Sequence, residues 1–165
     1  MLTVLLGVSL TYTLAWYRAY RLTERFLQEA TASFRAGRHL EALLGYETFD
    51  ERRRRYIYHG GYIQIEAIWA DPFAWPRYPG LEEVRSRILE TINQLSLEEA
   101  EEFVRSYSGK GGRYLGRVLL RLAQLYVEKG EVQAALELLE EVVGLSPNEP
   151  EVVEEAKRLL KRIGP

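Results

Sequence analysis

The sequence predicts an all-α chain: an N-terminal transmembrane helix, then an antiparallel array of helical hairpins carrying an aromatic-rich insert. Three observations predict it. The first seventeen residues carry no charged side chain, and Arg18, Arg21 and Arg25 follow them. Apolar residues recur at helical spacing through the C-terminal third, with Gly130 and Pro147 as breaks. The composition is that of a globular fold, 47% hydrophobic and 28% charged, with no Cys. The lack of Cys excludes disulfides, zinc–thiolate sites, iron–sulfur clusters and thiol catalysis. With only two His, a His-rich metal site is not expected either. A net charge of −2 gives no overall pull toward nucleic acid.

The opening segment decides the expected location. As a helix, Leu2 to Tyr17 spans about 24 Å at 1.5 Å per residue, a little short of the ~30 Å hydrocarbon core. Arg18 can snorkel, and Trp16, Tyr17 and Tyr20 are aromatics of the kind found at a membrane–water boundary. Trp16, Tyr17, Arg18 and Arg21 are therefore assigned to lipid or headgroups. Residues 1–20 become the anchor and 21–165 the domain. Because the Arg cluster follows the apolar run, the N-terminus is expected outside and the domain in the cytoplasm, at a bacterial inner membrane. Two other readings stay open. One is a buried helix, which must account for apolar residues on all sides. The other is a cleaved signal, for which a basic leader and a cleavage site are missing. The opposite, periplasmic orientation is the rival topology.

Beyond the anchor, no Pro or Gly interrupts helical pattern until about Arg35, and Gly37 then breaks it. Residues 80–95 read as a helix. A second helix follows with Ser96 as N-cap and Glu99 in the capping-box position. "SGKGG" at 108–112 reads as a flexible loop; it lacks the spacing of a phosphate-binding loop and no strand precedes it. Runs from Val118 to Val127 and from Val132 to Val143 are periodic. A last helix after Pro150 carries the stripe Val152, Ala156, Leu159, Leu160 and Ile163, acids at its start and bases at its end, with Gly164 as C-cap.

Leu119, Ala123, Tyr126, Gly130, Ala135, Leu139, Val142 and Pro147 resemble the pattern of the tetratricopeptide repeat family. Phe26, Ala30, Phe34, Gly37, Ala42 and Tyr46 form a second, partial match. Residues 113–165 are thus the best-matching repeat plus a capping helix. The resemblance implies an interaction module that binds through the concave face lined by the first helix of each repeat. Carried onto this chain, that face is Arg117, Leu120, Gln124, Val127 and Glu128, with Thr31 and Arg35 in the poorer repeat. The opening apolar helix ending in Trp16, Tyr17 and Arg18 is also similar to the start of membrane-anchored bacterial repeat proteins that regulate lipopolysaccharide assembly, a likeness confined to the N-terminal third and the architecture.

The insert, residues 45–80, fits no repeat. Residues 55–66 read either as a hairpin turning on Gly60–Gly61 or, preferred, as helix to about Tyr58, a break at the glycines, and a short helix to Asp71. Phe73, Trp75 and Tyr78 lie in a Pro-stiffened loop. They either fold back on the chain's own core, dock on headgroups, or form a partner surface. Arg52–Arg55 reads as a solvated or internally paired run, with anionic lipid as the alternative. No catalytic constellation is seen and no cofactor is implied; an enzyme is not expected. The expected function is a membrane-anchored scaffold or adaptor that mediates protein–protein interaction. The alternative is a constitutive accessory subunit of a larger membrane complex. Expected partners are protein and the bilayer, not nucleic acid.

Overall fold

The computed structural model describes residues 2–107, 112–146 and 149–164. They are mostly helical, with eight helices and one two-stranded hairpin. The chain divides into two compact units, Met1–Thr91 and Ile92–Pro165.

In the first unit, α1 runs unbroken over Leu2–Arg35. It stops where Gly37 turns with φ 73° and the Arg38 N–H donates to Ser33 O at 3.0 Å. Helix α2 (His39–Leu44) ends at Gly45, whose φ of 71° favours glycine and whose N–H donates to Glu41 O at 2.8 Å. Strands β1 (Tyr46–Asp50) and β2 (Arg55–His59) then pair antiparallel, Tyr46 with His59 and Asp50 with Arg55. Helix α3 (Tyr62–Trp69) follows, and α4 (Leu81–Asn93) closes the unit. Helix α1 packs against α2 and α3, and α2 against α3. The buried apolar residues they bring are Phe26, Ala30, Ala42, Leu43, Tyr62, Ile65 and Trp69. Glu66 is buried in α3 and accepts from Arg85 Nε of α4 at 2.7 Å.

Two expectations are corrected here. No helix among the described residues is long and apolar enough to cross a membrane. That overturns the N-terminal transmembrane helix and, with it, the single-pass location with the N-terminus out and the domain in the cytoplasm. The physical reason lies in α1 itself. Ser9, Thr11, Thr13 and two tyrosines dilute its uncharged part, and charge begins at Arg18. The hairpin also differs from both readings of the insert. Its turn is Glu51–Arg54, not Gly60–Gly61. Asp50 Oδ1 accepts from the N–H groups of Arg52 and Arg53 at 3.0 and 3.1 Å, and Arg54 takes φ 49°. The glycines instead lead into α3, so a short helix exists there, but α2 ends well before Tyr58.

The second unit is a series of helices, each packed on the next. Helix α5 (Leu97–Tyr107) packs against α6 (Leu115–Lys129), α6 against α7 (Val132–Leu145), and α7 against α8 (Pro150–Ile163). The expected capping box is formed: Glu99 N–H donates to Ser96 Oγ at 3.2 Å, and Ser96 N–H to Glu99 Oε2 at 3.0 Å. Gly130 caps α6 in the left-handed region, with Glu131 N–H reaching Tyr126 O at 2.9 Å. The core is Leu119, Leu120, Ala123, Ala135, Leu139, Val142, Val152, Ala156 and Leu159. Ala123 and Ala135 are fully buried, and residues this small let α6 and α7 approach closely. Pro150 opens α8, where its missing N–H costs nothing. Gly164 caps α8 in an extended rather than a left-handed conformation. The expected stop at Pro147 and loop residues 108–111 lie outside the described residues.

Candidate functional site

Within the second unit, α6 and α8 border a cleft of about 420 Å³. Its lining is Gln124, Val127 and Glu128 from α6, with Glu155, Arg158, Leu159 and Arg162 from α8. The spacing explains the arrangement. Positions 124, 127 and 128 are one face of a helix, as are 155, 158, 159 and 162. Leu159 and Val127 supply an apolar floor continuous with the core. Gln124 Nε2 donates to Glu155 Oε1 at 3.2 Å across the cleft. Glu128 sits 3.9 Å from Arg121 Nη1. The guanidiniums of Arg158 and Arg162 make no hydrogen bond or ion pair among the described residues. The cleft is thus a small apolar strip between polar walls with two available cations.

The expected concave residues divide. Gln124, Val127 and Glu128 line this cleft. Leu120 is buried in the core. Arg117 is tied to the start of α8, 3.7 Å from Glu149 and 3.3 Å from Glu151. Thr31 and Arg35 belong to the other unit. There, Thr31 Oγ1 lies 3.2 Å from Tyr62 Oη and joins α1 to α3, while Arg35 is exposed in the last turn of α1. The α8 wall, Glu155, Arg158, Leu159 and Arg162, is outside both surfaces expected from sequence, the first helices of the repeats and the insert aromatics.

In the first unit, the segment after α3 is strapped to α1. Tyr12 Oη lies 2.8 Å from Phe73 O and within reach of Trp75 O, sharing its one proton between them, and accepts from Trp75 N–H at 3.1 Å, while Trp16 Nε1 donates to Pro76 O at 2.7 Å. Trp16 stacks on Tyr20 with centroids 5.5 Å apart and meets Trp69 edge-on at 5.9 Å. Tyr78 stacks on Trp69 and donates to Glu24 Oε1 at 2.7 Å. Burial, then the Glu24 carboxylate, push its hydroxyl up to about 12. The three insert aromatics therefore separate: Tyr78 folds back, whereas Phe73 and Trp75 are 83% and 74% exposed. Trp16 is half-buried against the insert, and Tyr17, Arg18 and Arg21 are exposed on α1. Leu6, Val8, Leu10 and Leu14 are exposed too.

One constellation had no sequence signal. His59 Nδ1 lies 3.2 Å from Glu29 Oε1, and its Nε2 lies 2.9 Å from Thr48 Oγ1. Tyr46 stacks on the imidazole at 4.5 Å. Residues 29, 48 and 59 share no motif; strand pairing sets Thr48 near His59, and packing of β2 on α1 brings Glu29 to them. Glu29 Oε2 also accepts from the Gly60 N–H at 2.9 Å, so the same carboxylate clamps the end of β2 to α1. Among the described residues, no group of three or more His, Asp or Glu is placed to hold a metal ion. In comparisons with models of protein families, with curated proteins and with solved structures, nothing matches this chain.

Proposed function

We propose that this chain is an interaction module that holds a segment of a protein partner in the α6–α8 cleft, as the likeness to tetratricopeptide repeats implies. The observation that carries the reading is the cleft lining. Three residues expected on a binding face from sequence alone, Gln124, Val127 and Glu128, share one cleft with the unpaired cations Arg158 and Arg162. An apolar strip gives a partner segment area to bury, and the charged walls fix its register. The test is co-purification from source cells with the double variant Glu128→Arg, Arg158→Glu. Both side chains are exposed, so the fold is expected to keep its Tm within about 2 °C. A partner recovered with the wild type and lost with the variant supports the reading. Equal recovery by both contradicts it.

A second reading rests on a different observation. Leu6, Val8, Leu10 and Leu14 are each more than half exposed, and so are Phe73 and Trp75. Apolar exposure on this scale marks an interaction surface, which fits an accessory subunit held permanently in a larger assembly. The native particle mass discriminates: a 19.1 kDa monomer argues against the subunit, and a stable high-mass particle for it.

A further inference from the structure

Helix α1 and the segment after α3 border a second, open cavity of about 250 Å³. We propose that it binds a small alkylated ammonium ion, of which choline is the simplest probe. Tyr12, Trp16 and Phe73 line it, with the buried Trp69 at its base. Trp16 and Trp69 meet at an interplanar angle of 69°, making a corner rather than a flat stack. Ala15 and Ala19, four residues apart on α1, are small enough to leave the space open.

The single charged residue of the lining is Asp71. Its Oδ1 is held by the Phe73 N–H at 2.8 Å, which fixes the carboxylate at the rim. Its Oδ2 makes no hydrogen bond or ion pair among the described residues. Aromatic side chains and one oriented carboxylate both favour positive charge. An anion meets repulsion from both. A bare ammonium loses strong hydration on entering an apolar cavity, whereas an alkylated one buries methyl groups there. The size limits the ligand, since drug-sized pockets start at ~300 Å³.

The test titrates the full chain with choline, and separately with its neutral isostere 3,3-dimethylbutan-1-ol. Heat and intrinsic fluorescence are both followed; the indoles of Trp16 and Trp69 line the cavity and report occupancy. Choline is expected to saturate both signals and to bind about tenfold more tightly than the isostere. Asp71→Asn keeps the acceptor for the Phe73 N–H and is expected to remove most of that preference. Phe73→Ala, at an 83% exposed position, is expected to weaken choline about threefold to tenfold with Tm unchanged. Equal binding of choline and isostere, an Asp71→Asn variant with full preference, or no saturation by about 50 mM overturns the proposal. Sedimentation with phosphatidylcholine vesicles without binding of free choline overturns it as well, because the assigned ligand is the free ion.

Discussion

Single residues carry sharp consequences where charge or backbone conformation is fixed. Glu66 is a buried carboxylate whose partner across the packing is Arg85, and Arg85 also reaches Glu82 at the surface. The Glu66 hydrogen bond, ahead of the nearby charges, holds the Arg85 guanidinium above its ordinary range. Arg85→Ala removes a charged hydrogen-bond donor from the buried carboxylate and is expected to cost about 2–4 kcal/mol by urea denaturation. Adding Glu66→Gln should return part of that loss. At Gly45 the strain is conformational. A Cβ there meets His59 O and φ is 71°, so Gly45→Ala is expected to cost about 1–3 kcal/mol by the same measurement. Tyr78 and Tyr126 both titrate near 12 instead of 10, the first chiefly by burial, the second chiefly through its hydrogen bond to Glu101. Between these values the unfolded chain has released those protons and the folded chain still holds them. Their contribution is whole below pH 10 and disappears as pH rises to about 12, which denaturation at stepped alkaline pH will show.

At the level of elements, legibility followed the strength of local signals. Helix α5 was readable because Ser96 and Glu99 fix its start by a reciprocal pair of bonds, and Ser96→Ala is expected to cost about 1 kcal/mol in thermal unfolding. Helices α6, α7 and α8 were readable because their stripes have the helical period and Gly130 punctuates them. Leu139→Ala, in the middle of that core, should cost about 2–5 kcal/mol. The hairpin was misplaced because its turn, Glu51–Arg54, contains no glycine. An Asp50 side chain accepting two backbone N–H groups does the work that Gly60–Gly61 seemed suited for. The opening helix was misread for a related reason. An uncharged run reads as a span although Ser9, Thr11, Thr13 and two tyrosines lower its hydropathy, and only tertiary placement shows Tyr12 and Trp16 bonded to the insert's carbonyls. The cleft was half legible, because sequence periodicity assigns faces to one helix at a time. Which second helix faces α6 is a matter of packing.

On the scale of the whole molecule, two compact units carry two different kinds of surface. The first offers aromatic rings and bare aliphatic side chains on α1 and the insert; the second offers a cleft with an apolar floor and charged walls. The proposed function puts partner recognition on the second. A photoreactive benzoylphenylalanine tests that assignment most directly when placed at Glu128 or Arg162 in the cleft, and at Glu140 on the exposed side of α7 as the control. Irradiation in extracts of the source cells is expected to give one discrete adduct from positions 128 and 162 and none from 140. Adducts of the same pattern from all three positions, or none from the cleft while a probe at Phe73 crosslinks, would contradict the account.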